Sequence, residues 1–146
     1  MKSEEFNELK NILEEELTFD PTSYKDMQQK LSRIPNLLQT YLTIYINQKE
    51  ILNDLETRLK ETYASLYHKY KYPTKGDGLE FEYNLETKNE INLYVEGNED
   101  YIKKSLIVEK QRIQVEYLEK TLQNIRDMLW SLKYTIDQRK FFEGLN

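Results

Sequence analysis

Hydrophobic and polar positions recur with a helical period along most of this chain. Over residues 3–18, Phe6, Leu9, Leu13 and Leu17 form one apolar stripe, Ser3 stands where a cap is needed, and Glu4 and Glu5 fall in the first turn. Carboxylates there face the positive end of the helix dipole, so the pattern predicts a first helix. Asp20-Pro21-Thr22-Ser23 then breaks the period and offers fresh capping residues. Ser23 is expected to cap a short helix reaching about Arg33, and Pro35 to start or kink the helix that follows.

From Asn36 to about Tyr72 there is neither Gly nor Pro, and Leu38, Tyr45, Leu52, Leu59 and Leu66 fall seven apart. Tyr41, Leu42, Leu55, Tyr63 and Tyr70 widen that stripe. The pattern predicts a long helix with a coiled-coil-like seam, roughly 55 Å at about 1.5 Å per residue. Gln48, Lys49 and Thr62 interrupt the second seam position, which argues against a strict two-stranded zipper.

Pro73 to Leu85 reads as the main loop, with Gly76 and Gly78 where positive φ is needed. Within it, Leu79-Glu80-Phe81-Glu82-Tyr83 alternates apolar and acidic residues, the period of a short extended piece. Thr87 and Glu90 have the spacing of a capping box, ahead of Ile91, Leu93, Tyr94 and Val95, and Gly97 is the natural stop of that short helix. Asn98 or Asp100 then caps a last, long helix to about Phe142. Tyr101, Val108, Val115, Leu122, Leu129 and Ile136 are seven apart on it, and Leu118, Ile125 and Leu132 form a second row.

Two long helices of similar length, joined by about 25 residues, most simply form an antiparallel hairpin. The expected fold is all-α, a single domain over residues 1–146. N-terminal helices occupy 1–33, a long helix 36–72, a loop and short helix at the tip 73–98, and a long C-terminal helix 99–142. One hairpin buries one stripe per helix. Leu106, Ile113, Tyr117, Trp130, Tyr134, Phe141 and Phe142 are left over, which predicts a homo-oligomer built on the C-terminal helix. The alternative is a monomeric bundle in which the N-terminal helices cover these residues.

Composition narrows the classes. The chain of 146 residues is 38% hydrophobic and 32% charged, too apolar for a disordered chain and too polar for a thick core. Four Gly and three Pro agree with long elements, and the lack of cysteine excludes disulfides, thiol chemistry and zinc–thiolate sites. The first residues, MKSEEFNELK, hold no apolar leader, and no run is long enough to span a bilayer, so a soluble intracellular protein is expected.

Net charge is −5, unfavourable for simple non-specific DNA binding, yet the charge is segmented. Residues 1–20 hold two basic and seven acidic residues, and residues 21–75 nine and five. Residues 76–100 hold one basic and eight acidic, and residues 101–146 nine and six. A polyanion is drawn to one part of such a chain and repelled from another.

The stretch 66–72, LYHKYKY, ends the basic block. Tyr67, His68, Lys69, Tyr70, Lys71, Tyr72 and Lys75 crowd into nine positions before Gly76-Asp77-Gly78. Cations interleaved with flat rings suit single-stranded nucleic acid, because ammonium groups pair with phosphates and bases stack on aromatic faces at about 1–3 kcal/mol each. The plainer reading is a helix end with rings inward and lysines in water. Catalytic chemistry is hard to assemble: His68 is the single histidine, and no phosphate loop, dinucleotide fingerprint or nucleophile elbow occurs. Asp77, Glu80, Glu82 and Glu86 lack the spacing of a calcium loop and read as solvated acids, so neither metal nor cofactor is expected. Twelve tyrosines fit half-buried interface positions as well as base stacking.

Taken in order, LYHKYKY (66–72), GDGLEF (76–81), LETKNEINLYVEGNEDY (85–101), VEYLEKTLQNIRDMLW (115–130) and IDQRKFFEGL (136–145) resemble the UvsY family of recombination mediators of T-even-type bacteriophages. The match runs from about Ile34-Pro35 to the C terminus, and residues 1–33 fit only by helix and turn placement.

The resemblance implies a non-enzymatic protein that binds single-stranded DNA as a ring of identical subunits, hexameric or heptameric. It implies loading of a RecA-like recombinase onto DNA coated by the phage single-strand-binding protein, in the cytoplasm of the infected bacterium. It places DNA contacts on Lys69, with Lys71, Lys75, His68, Tyr70 and Tyr72 in support. It places self-association in the C-terminal region, which agrees with Trp130, Tyr134, Phe141 and Phe142. Departures are the acidity of 1–20 and 76–100 and the sparser cations around 67–69. Both point to affinity gained by multivalency on a ring. The acidic first helix is the candidate surface for recruiting the recombinase. The rival class is an oligomeric helical scaffold or adaptor that ignores DNA and buries Tyr67, Tyr70 and Tyr72.

Overall fold

A computed structural model describes residues 1–73 and 87–144. Their elements are four helices: α1 (Ser3–Glu16), α2 (Tyr24–Lys71), α3 (Lys88–Glu96) and α4 (Glu99–Phe142). No strand occurs among the described residues. The extended piece expected at Leu79–Tyr83 lies outside them, as do the Gly76 and Gly78 turn and Lys75. The chain divides into two compact units, Met1–Lys49 with Gln114–Asn146, and Glu50–Ile113.

The first unit packs α1 against the N-terminal part of α2 and the C-terminal part of α4. Its core joins Leu13 of α1, Met27, Ile34 and Tyr41 of α2, and Leu118, Leu122, Ile125, Met128, Leu132 and Ile136 of α4. Of the two rows expected on α4, Val115, Leu118, Leu122, Ile125, Leu132 and Ile136 are buried in this unit and Leu129 in part, while Val108, buried, and Tyr101, half-buried, belong to the second. On α2 the fully buried row is Met27-Ile34-Tyr41, while Leu38 and Tyr45 are half-buried at its side. A two-helix seam centres on one line of residues, whereas a third helix shifts burial toward the flank it covers. Tyr117 is a clear case: Phe6 of α1 meets its ring edge-on at 5.2 Å. The expectation that Tyr117 awaits a partner outside the chain is thereby corrected.

Two local readings also differ from the structure. Lys2, not Ser3, occupies the N-cap of α1, and the Glu5 carboxylate accepts from the Lys2 backbone N–H at 3.2 Å. The separate helix expected to end near Arg33 is the first part of α2, which runs unbroken through Pro35. Proline removes one ladder hydrogen bond and crowds the preceding turn. Burial of Met27, Ile34 and Tyr41 on the same helix outweighs that cost. Ser23 keeps its expected role, with its hydroxyl accepting from the Asp26 N–H at 3.2 Å.

In the second unit, α2 and α4 run antiparallel, because contacts advance along one as they retreat along the other. Arg112 bonds Glu56 at 3.0 Å, Lys104 donates to Thr62 at 3.1 Å, and Asn98 donates to Tyr70 at 3.1 Å. Among the described residues, Leu52, Ile91, Val95 and Val108 are its buried apolar ones. The expected capping box opens α3: the Thr87 hydroxyl accepts from Glu90 N–H at 3.2 Å, and Glu90 accepts from Thr87 N–H at 3.4 Å. Gly97 caps its other end with ordinary right-handed helical dihedrals. Asn98 caps α4, its side-chain oxygen accepting from the N–H groups of Asp100 and Tyr101 at 3.0 and 3.2 Å.

Candidate nucleic-acid interface

The Tyr/Lys stretch forms the last turns of α2, closed by Tyr72 N–H donating to His68 carbonyl at 2.9 Å. His68, Lys69 and Lys71 fall in the last turn, where cations meet the negative end of the helix dipole. The helix sorts this stretch by face. His68, Lys69, Lys71 and Tyr72 are exposed, whereas Tyr67 and Tyr70 are half-buried. Three of the exposed side chains lie together: the Tyr72 ring is 5.2 Å from the His68 ring, and Lys71 Nζ is 5.4 Å from the Tyr72 ring centre. Tyr72 itself is 56% exposed, open to a flat ligand. A solvated ring beside a cation offers one stacking face and one phosphate contact.

Tyr70 points the other way. Its hydroxyl accepts from the Asn98 amide, and its ring lies 5.9 Å from that of Tyr94 on α3. Tyr67 stacks on Tyr63 at 6.1 Å, and Tyr63 meets Tyr101 at 6.0 Å. The Tyr63 hydroxyl donates to the Asn92 side chain. Burial first, then Glu96, Tyr67 and Tyr101, hold the Tyr63 hydroxyl above its ordinary pKa, which keeps it protonated as a donor. These inward tyrosines tie α3 and the start of α4 to the end of α2, so the outward group stands on a fixed base. Asn98 and Tyr94 are the residues that sequence reasoning undervalues. Asn98 is legible as a cap but not as a partner of Tyr70, and Tyr94 is legible only as apolar.

Several other cations of the second unit are engaged with carboxylates. Arg58 pairs with Asp54 at 3.0 Å, Lys104 with Asp100 at 3.1 Å, and Arg112 with both Glu56 and Glu109 at 3.0 and 2.6 Å. The hydrogen bond that Arg112 donates to Glu56 leads the causes that raise the Arg112 pKa. Among the described residues, no group of three or more His, Asp or Glu side chains is placed to hold a metal ion. No helix among them is long and apolar enough to cross a membrane.

The four residues expected to mediate self-association lie on the surface of the first unit. Trp130, Tyr134, Phe141 and Phe142 are 68%, 65%, 68% and 78% exposed. Lys133 Nζ sits 5.3 Å over the Trp130 ring, Gln138 donates to the Tyr134 hydroxyl at 3.0 Å, and the Phe141 and Phe142 rings meet at 5.7 Å. α1 covers Tyr117 and leaves these four bare, so the monomeric bundle absorbs only part of the surplus.

The fold is that of an all-helical protein, and the family comparison supplies its class, that of recombination, repair and ssDNA-binding proteins. Residues 12–145 match the family described as recombination, repair and ssDNA binding protein UvsY, and the chain belongs to the UvsY family. Comparison with curated proteins gives no match. Among solved structures, the crystal structure of the bacteriophage T4 recombination mediator protein UvsY in lattice type II superposes with a TM-score of 0.79. It is 21% identical, over 99% of this chain and 99% of that one. The lattice type IV structure gives 0.80 at 18% identity over 97% and 99%, and lattice type I gives 0.77 at 19% over 92% and 98%. At these identities the likeness is one of fold.

Proposed function

We propose that this protein is a recombination mediator that binds single-stranded DNA and loads a RecA-like recombinase onto DNA covered by a single-strand-binding protein. Its setting is the cytoplasm of a phage-infected bacterium. The observation that carries the reading is the exposed His68, Lys69, Lys71 and Tyr72 group at the end of α2, in a chain of a family of ssDNA-binding proteins. Lys69 and Lys71 neutralise phosphates, and Tyr72 stacks a base. Lys75 follows the described residues and extends the same cationic run in sequence. Tyr70 buttresses the group instead of stacking, because its hydroxyl and ring are already engaged.

One such group per protomer is weak in a chain of charge −5. A ring of subunits, joined through Trp130, Tyr134, Phe141 and Phe142, repeats it along one strand and converts weak contacts into avidity. Wrapping the strand loosens the single-strand-binding protein. α1 then recruits the recombinase through its exposed carboxylates, Glu4, Glu5, Glu8, Glu14 and Glu15. Leu13 of α1 is buried in the core, so the recruiting role is tested by Glu-to-Gln changes at 4, 5 and 8, not by deleting the helix. Unaltered recombinase recruitment by that variant removes α1 from the mechanism.

Fluorescence anisotropy of a labelled single-stranded oligonucleotide, titrated at several salt concentrations, tests the DNA role. Wild type is expected to bind with strong salt dependence. Lys69→Ala is expected to bind more weakly, with the log–log slope reduced by about 0.7 for each phosphate no longer neutralised. A slope equal to that of wild type displaces the site from α2. An oligomer that ignores DNA at low salt leaves the scaffold reading, to which the half-buried Tyr67 and Tyr70 conform and the exposed Tyr72 does not.

A further inference from the structure

Part of α2 repeats itself. Met27, Lys30, Leu31 and Ile34 recur 28 residues on as Leu55, Arg58, Leu59 and Thr62. The shift is a whole number of heptads, so both sets occupy the same positions of a seam-forming repeat. In the first unit the earlier set carries α1. Leu13 of α1 shares a core with Met27 and Ile34, Leu31 packs at its edge, and Lys30 donates to the Glu15 carbonyl in the last turn of α1 at 3.0 Å. An acidic helix lies there on a basic bed: residues 1–20 hold two basic and seven acidic side chains, and residues 24–48 hold three and one.

In the second unit the later set carries no described helix. Leu55, Arg58 and Leu59 face Lys104, Ile107 and Val108 of α4 across an apolar notch of about 200 Å³, and among the described residues none of α1 or α3 lines it. Leu55 and Leu59 are half-buried, and Ile107 is 54% exposed. A cavity of about 150 Å³ holds a benzene ring, so the notch takes one large apolar side chain. Thr62 opens beside it into a wider trough of about 340 Å³ that shares Arg58 and Lys104. The walls of the notch are basic again: residues 51–60 hold two basic and two acidic side chains, and residues 102–113 hold four and one. Arg58 and Lys104 meet Asp54 and Asp100 on the surface at 3.0 and 3.1 Å, contacts weak enough for an incoming carboxylate to replace. Lys110 stands one turn past Ile107 and adds a third cation. Glu61 and Asp100 line the trough, so the acids of an occupant belong at the Leu55 end.

We propose that this notch is the docking seat for an amphipathic helix with an acidic flank, carried by a partner protein. One apolar side chain of that helix fills the notch. Its carboxylates meet Arg58, Lys104 and Lys110, as Glu16 of α1 meets Arg33 at 3.8 Å in the first unit. α1 of a second copy is not the occupant, because Leu13 is fully buried in the core of its own chain. The proposal is independent of the DNA reading of the end of α2.

The probe is a fluorescein-labelled synthetic peptide of residues 3–17, SEEFNELKNILEEEL, an acidic amphipathic helix released from its own chain. Fluorescence anisotropy follows its binding to the whole chain, wild type and variant, with helicity checked by circular dichroism. Wild type is expected to bind it, and Ile107→Glu to weaken binding by about tenfold or more. Arg58→Glu, at a side chain 68% exposed, is expected to weaken binding comparably and to leave the fold intact. If Ile107→Glu loses helicity, Arg58→Glu decides alone. The same peptide with every Glu changed to Lys is expected not to bind. No binding by wild type, or equal binding of the lysine peptide, overturns the proposal. Undiminished binding by either folded variant also overturns it and places the peptide elsewhere, as in the seat that α1 fills. Displacement of the peptide by an unlabelled single-stranded oligonucleotide overturns it in favour of a phosphate-binding groove.

Discussion

Removing the Asn98 side chain should loosen two elements at once, and the structure separates the two effects. Asn98 accepts from the N–H groups of Asp100 and Tyr101 at 3.0 and 3.2 Å, and its amide donates to the Tyr70 hydroxyl at 3.1 Å. Loss of an N-cap costs about 1 kcal/mol. A neutral hydrogen bond contributes about 1 kcal/mol net, and this one, being half-buried, falls at or below that figure. Asn98→Ala is therefore expected to destabilise the protein by about 2 kcal/mol. Asn98→Asp keeps the cap, gains from a negative charge at the helix N-terminus and loses only the donor to Tyr70, so its cost should be under about 1 kcal/mol.

Tyr70→Phe removes the same hydrogen bond from the other side, and a double-mutant cycle with Asn98→Ala should return a coupling of about 0.5–1 kcal/mol. Urea denaturation followed by circular dichroism reads these values. Protein concentration must be held fixed, because self-association adds to apparent stability by mass action. Amide exchange at Asp100 and Tyr101 supplies a local check. Equal midpoints for Asn98→Ala and wild type, with both amides still protected, would refute the cap. A strictly additive cycle would refute the link to Tyr70.

Other expectations concern the first unit. Leu132 is fully buried, so Leu132→Ala should cost about 2–5 kcal/mol in urea denaturation; a smaller loss would mean the core collapses around the gap. Pro35→Ala restores a backbone donor inside α2 and should stabilise by about 1–2 kcal/mol after the lost rigidity of the unfolded chain is subtracted. Destabilisation by this change would show that the proline ring has a packing role. Tyr41 is buried, and burial, then Glu16, then Tyr117, raise its pKa. The neutral phenol is favoured in the folded state, so the stability it confers is complete below its unfolded pKa of about 10 and is lost as pH rises past it. Tyr41→Phe should flatten the alkaline fall in stability, and an unchanged alkaline limb would count against burial as the cause.

Legibility in the sequence follows range. α3 is readable end to end because its signals are local: Thr87 and Glu90 close the box, and Gly97 stops the helix. Both rows of α4 are readable because Val108 through Ile136 keep one period without a breaker. The sequence pattern cuts α2 too short because Pro35 is a local signal, while the burial of Ile34 that overrides it depends on α1 and α4 arriving from elsewhere. The cap falls one residue before Ser3 because the Glu5 side chain satisfies the Lys2 N–H. At the candidate interface, the density of tyrosine and lysine is plain, but the facing of each ring is not. Tyr70 turns inward because Asn98 and Tyr94 come back beside it from a later segment, and nothing within residues 66–72 records that return.

Only Gly97 and Asn98 stand between α3 and α4. The Asn98 N–H reaches back to the Val95 carbonyl at 3.1 Å, and the Gly97 N–H to Leu93 at 3.0 Å. Two residues so engaged act as a gear between the helices. One residue added or removed would rotate α3 against α4 by about 100°, enough to swing Ile91 and Val95 out of their buried seats. The same slip would carry Tyr94 away from Tyr70 and tilt the ground on which His68, Lys71 and Tyr72 stand. Length is thus the inherited quantity at this joint, and kindred chains are expected to vary here by substitution, with insertions and deletions confined to other connections.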